Sequence, residues 1–182
     1  MMTKNWIVWI ILAGLVLSCQ AENKQQEQAT EKESSEEKTT TNPAQNAQQR
    51  ALEQAKTDKK LILQYLQEKN IDAESTNSGL YYKIIEPGDQ NKKPGKSSQV
   101  SVQYVGKLLN GTTFDRSPTE ENVSFPLNRV IMGWQEGIPK IGEGGEIKLF
   151  IPSHLGYGQA KVGRIPSNSV LVFDVKLLEV RG

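Results

Sequence analysis

At 182 residues and a formal net charge of +1, the chain has room for one ordinary domain with flanking segments, and it lacks the dense basic stripe that nucleic acid needs. One histidine, His154, and one cysteine, Cys19, are too few to suggest a metal centre, a cofactor site or a Ser-His-Asp or Cys-His nucleophile system.

In chain order, Lys4 precedes an apolar run from Trp6 to Leu17 that has the length of a secretory signal core and is short for a bilayer span. Residues 1–18 read as an export signal. Val16-Leu17-Ser18-Cys19 resembles a bacterial lipobox, and the sole cysteine stands at its acceptor position. That resemblance implies a lipidated Cys19 holding the protein to a membrane of the bacterial cell envelope, at the outer membrane or cell surface or with a periplasmic domain. Cleavage elsewhere, or a signal anchor with an incidental cysteine, are the alternatives. With Cys19 acylated no thiol remains for a disulfide, so the domain must stand on core packing.

Residues 19–47 read as a polar tether, since Gln20 to Gln49 contain no aromatic residue and no Ile, Leu or Val to offset the entropy of ordering. A regular charged helix built from its Glu and Lys is the rival reading, which Thr39-Thr40-Thr41-Asn42-Pro43 would break. Residues 48–77 read as a helical stalk, with helix-forming composition from Gln48 to Lys69, Leu52, Ala55, Ile62 and Leu66 near helical period and Asn70 able to end it. Its stripe suits packing on the neighbouring domain or extending the stalk; dimerisation is the other use left open. Ser78-Gly79 then opens the globular part, residues 78–182.

Alternating apolar residues bounded by turn formers predict strands at Val100 to Tyr104, Ile147 to Ile151 and Leu171 to Leu177, and further strands are expected at Leu80 to Ile85, before the Pro87-Gly88 turn, and at Val123 to Leu127. One short helix, Gly133 to about Pro139, is predicted between them, which makes the class α+β.

Tyr104 in V-S-V-Q-Y-V-G, Phe114-Asp115 in G-T-T-F-D, Val130, Ile131 and Trp134 in V-I-M-G-W, Tyr157 in L-G-Y-G, Ile165-Pro166 and the closing strand through Phe173 are similar in order and spacing to the FKBP-type peptidyl-prolyl cis-trans isomerases. The resemblance runs from about Ser78 to the C-terminus. It implies a curved antiparallel five-stranded sheet wrapped around the one short helix, with an apolar pocket between them. Trp134 would be the pocket floor, with Tyr104, Phe114, Phe125, Val130, Ile131 and Phe173 as walls. Tyr157 would offer its hydroxyl to the substrate carbonyl, the Ile131 backbone N–H would donate to a neighbouring carbonyl, and Asp115 would sit at the rim facing Tyr104. Phe173 and Val130 are equally well read as core, and His154 as a solvated surface residue.

Met132, Ser167 and Val123 depart from the commoner family residues, and the segment from Ser117 to Asn122 offers no basic partner for Asp115. These departures weigh against tight binding of macrolide inhibitors more than against isomerase activity. The implied partners are proline-containing polypeptide segments and, through Cys19, a membrane. A proline-peptide binding module or holdase using the same groove is the alternative, and a surface lipoprotein engaged in adhesion a third reading.

Overall fold

Pro43 starts the first helix. A computed structural model describes residues 42–118 and 122–182; the export signal, Cys19 and the tether as far as residue 41 lie outside the described residues. Helix α1 spans Pro43–Glu68, with Asn42 Oδ1 accepting from the Ala44 N–H at 3.2 Å and the proline in the first turn, where a missing N–H costs nothing. The helix therefore begins five residues earlier than Gln48. It ends where Asn70 takes a left-handed φ of 51° and Ile71 N–H donates to Leu66 O at 2.9 Å.

Seven strands follow, and their pairings are all antiparallel: β1 Glu74–Ser75, β2 Tyr81–Glu86, β3 Gln99–Leu108, β4 Thr113–Arg116, β5 Val123–Pro126, β6 Glu146–Ile151 and β7 Leu171–Arg181. The order is β1-β2-β6-β7-β3-β4, and β5 pairs with β3 beside β4. The α+β class holds, but the expectation of a curved five-stranded sheet around a single helix is overturned: the sheet has seven strands in an open order. The two strands that patterning misses have physical reasons to be missed. β1 is only two residues long, and β4 breaks the alternation on which strand recognition rests.

One face of the sheet carries the main core, including Val100, Val102, Ile147, Leu149, Ile151, Phe173 and Val175. Helix α2, Met132–Gly137, lies on it and continues as a 3₁₀ turn, Ile138–Lys140, with Pro139 in its first turn. Two glycines let α2 come this close. A methyl group added at Gly133 would stand 2.5 Å from Ile151 Cγ2, and one at Gly137 2.5 Å from Leu149 Cδ2.

The opposite face is covered by α1. Tyr81, Phe150 and Val172 are cross-strand neighbours on β2, β6 and β7, and this row is buried beneath Ile62 and Leu66. Tyr65 adds a tilted ring contact to Phe150, with centroids 6.0 Å apart. The helix thus packs on the domain. Its buried stripe is Asp58, Ile62 and Leu66, spaced four apart, whereas Leu52 is exposed.

Candidate active site

β3 supplies Tyr104, β7 Phe173 and β5 Phe125, and all three rings stand nearly edge-on or tilted around the indole of Trp134 on α2. The Tyr104, Phe173 and Phe125 centroids lie 5.1, 5.3 and 6.0 Å from that of Trp134, at interplanar angles of 84°, 81° and 84°. Edge-to-face packing of this kind fixes rings without filling the space above the indole, so a bowl is left. The cavity has a volume of about 290 Å³, and Arg129, Val130, Ile131, Asp115 and Tyr157 complete its lining. Trp134 is only 4% exposed, and its indole N–H meets no acceptor among the described residues.

The route of each wall to its place is local. Ile131 caps α2 and its carbonyl accepts from the Trp134 and Gln135 N–H groups at 2.9 and 3.2 Å. Gln135 Nε2 reaches back to donate to Val130 O at 2.7 Å, which fixes the Val130-Ile131 segment at the pocket edge. On β4 strict alternation would send Phe114 and Asp115 to opposite faces. Gly106 pairs with Asp115 and Lys107 with Thr113, so Phe114 is the extra residue of a β-bulge, the device that re-aims a side chain. Phe114 packs edge-on against Phe173 at 5.5 Å, outside the immediate lining, while Asp115 reaches the rim. Gly106 makes room for both rings, because a methyl group there would stand 2.7 Å from each.

The polar groups at the mouth form one chain. Tyr104 Oη donates to Asp115 Oδ2 at 2.8 Å, and the Arg116 backbone N–H donates to Asp115 Oδ1 at 2.9 Å. Asp115 therefore finds partners without a basic side chain. Burial, then the hydrogen bond to Asp115 and its negative charge, push the Tyr104 hydroxyl well above the ordinary phenol range; burial and the Asp115 charge push Tyr157 the same way. Both phenols stay protonated donors at any physiological pH. Tyr157 is 38% exposed and lines the cavity.

The structure thus gathers Tyr104, Asp115, Phe125, Val130, Ile131, Trp134, Tyr157 and Phe173 around one cavity, with Phe114 behind Phe173. Two contributors escape sequence reading. Arg129 lines the cavity as an exposed residue of a 3₁₀ turn, for which no periodic signal exists. Gln135 acts through a backbone carbonyl, and a glutamine on a short helix gives no hint of that. His154 is exposed, as expected of it, with Nε2 2.9 Å from Ser78 O.

A family model described as FKBP-type peptidyl-prolyl cis-trans isomerase matches residues 90–178. The FKBP-type peptidyl-prolyl cis-trans isomerase FkpA of Escherichia coli K12 is 48% identical over 118 residues, 64% of this chain and 43% of that protein. FkpA of Buchnera aphidicola subsp. Schizaphis graminum is 44% identical over 107 residues, 58% of this chain and 42% of that protein. Among solved structures, FkpA from Escherichia coli superposes with a TM-score of 0.62 at 40% identity, covering 76% of this chain and 66% of that one. AtFKBP13 superposes at 0.56 with 31% identity, covering 61% of this chain and 99% of the solved one. The chain spans less than half the length of these two curated relatives.

Proposed function

The chain belongs to the FKBP-type peptidyl-prolyl cis-trans isomerase family, and from that premise we propose that it isomerises X-Pro bonds in exported proteins from a lipid anchor at Cys19 in the bacterial envelope. The observation that carries the reading is the indole-floored bowl with Tyr157, Tyr104 and Asp115 at its mouth.

The isomers of an X-Pro bond differ by about 0.5–1 kcal/mol, but about 18–20 kcal/mol separates them. That barrier is amide resonance, which makes the planar bond polar and well hydrated; the twisted transition state has lost the charge separation. A dry aromatic bowl that takes the prolyl ring therefore disfavours the planar form relative to the twisted one. Trp134 serves as floor and Phe125, Tyr104 and Phe173 as walls. Tyr157 stands where its hydroxyl can donate to the turning carbonyl, and the Tyr104–Asp115 bond keeps the rim ordered. Each step needs only desolvation and a hydrogen bond.

The anchor rests on the lipobox-like Val16 to Cys19 and the export signal before it. The client class, exported polypeptides with exposed prolines, follows from that location. A holdase using the same bowl is the second reading; the hydrogen bonds that Asp115 makes remove one argument for it, an unpaired carboxylate at the rim.

The test is acceleration of cis-trans exchange in a panel of X-Pro peptides by residues 42–182. Turnover at catalytic protein concentration supports the enzyme. Peptide binding without acceleration would favour the holdase.

A further inference from the structure

Asp58 is fully buried on α1, and no cation pairs with it among the described residues. Its carboxylate accepts three hydrogen bonds: Gln54 Nε2 at 2.8 Å on Oδ1, and on Oδ2 the Ser153 backbone N–H at 2.8 Å and Ser153 Oγ at 2.6 Å. If α1 only needed to adhere to the sheet, an apolar residue in line with Ile62 and Leu66 would serve as well or better, since a buried charge must offset its own desolvation. What the carboxylate adds is direction, because it fixes one residue of the domain from two donors.

That residue is a pivot. Ser153 opens the 3₁₀ turn after β6, and its own carbonyl accepts from the N–H groups of both Gly156 and Gly158, at 2.9 and 2.8 Å. Tyr157 lies between those two glycines. A further bond, from Asn168 N–H to Gly158 O at 2.7 Å, closes the far side of the loop. One continuous chain of short hydrogen bonds therefore runs from the helix to the residues bracketing the tyrosine at the cavity mouth.

We propose that Asp58 is a positioning residue for prolyl isomerisation: from the helix preceding the family's sequence match it holds Ser153, and through Ser153 the Gly156–Gly158 loop that aims the Tyr157 hydroxyl. The proposal rests on the isomerase reading for its functional consequence, but not for its geometry. It makes α1 part of the catalytic unit and not merely a spacer.

The test uses the full chain with Asp58→Leu, which extends the apolar stripe while deleting both bonds to Ser153, and with Ser153→Ala, which removes only the hydroxyl donor and keeps the fold should the first variant fail to accumulate. Amide hydrogen exchange at Gly156 and Gly158, measured against β7 amides, is expected to quicken by about tenfold or more in Asp58→Leu and less in Ser153→Ala. Catalytic efficiency is expected to fall by roughly three- to tenfold, the worth of one hydrogen bond in the transition state. In a Tyr157→Phe background the same Asp58→Leu change is expected to cost less than about twofold, because there is no hydroxyl left to aim. Equal losses in both backgrounds, or loop exchange that follows β7 unchanged, would overturn the proposal. If the wild-type chain turns over no peptide the isomerase reading falls, while the exchange measurement still decides whether Asp58 sets the loop.

Discussion

Truncating Ile62 to alanine separates a helix that belongs to the core from one that merely precedes it. Ile62 is 0% exposed where it packs against the Tyr81–Phe150–Val172 row, whereas Leu52 on the same helix is 52% exposed. Ile62→Ala deletes three buried carbons against a sheet that cannot follow them, so it should cost about 2–5 kcal/mol. For a unit of this size each kcal/mol is worth roughly 3–5 °C in Tm, and the melting temperature should fall by roughly 6–25 °C. Leu52→Ala should stay within about 0.5 kcal/mol of the parent. Urea and thermal unfolding of residues 42–182 measure both. Two variants with the same midpoint would mean that α1 is not part of the cooperative unit, and would favour a boundary at Ser78. Until then, 42–182 is the fragment to make, since a cut at Ser78 would uncover Phe150 and Val172 and remove Asp58 from Ser153.

Gly106→Ala places a methyl group against the Phe114 and Phe173 rings, so it should destabilise by about 1–3 kcal/mol and narrow the cavity; a variant as stable and as active as the parent would refute the close packing behind Phe173. Tyr104, Tyr157 and Tyr82 all have hydroxyls shifted above the ordinary phenol value, Tyr82 chiefly through its bond to Glu74. Their stabilisation is complete below the unfolded value of about 10 and is lost as pH rises beyond it, because the unfolded chain then releases protons that the folded one keeps. Denaturant midpoints between pH 8 and 12 should fall above about pH 10 and fall less in Tyr104→Phe; a flat profile would contradict the burial of that hydroxyl. Cys19→Ser should abolish incorporation of a clickable fatty acid in cells, and equal labelling of wild type and variant would remove the lipid anchor.

Much of the site was legible because it is made of large aromatic residues in distinctive local strings, and these meet in the structure around one indole. Alternation likewise located β3, β6 and β7, through the residues that face the main core. It failed where two-sided burial or irregular backbone takes over. Phe150 and Val172 break the pattern because α1 covers the second face, and Phe114-Asp115 break it because a bulge turns neighbouring side chains the same way. Sequence gave Leu52 a place in the helix stripe that Asp58 holds, since a charged side chain among isoleucine and leucine reads as solvent-facing until its partner, Ser153, is seen in space. The start of α1 at Pro43 goes unread because residues 43–47 hold no large apolar residue to set a helical period, although a proline suits a first turn.

The central claim, that this bowl is where a prolyl bond is turned, is tested most directly by measuring isomerisation and thermal stability together for the parent, Tyr157→Phe and Asp115→Leu. Tyr157→Phe should lose up to about tenfold in rate, the worth of a hydrogen bond to a neutral carbonyl. Asp115→Leu should lose more, because it also frees the Tyr104 hydroxyl that it holds at 2.8 Å. Both should melt within about 0.5–3 kcal/mol of the parent. Folded variants with the parent's turnover would place the chemistry elsewhere.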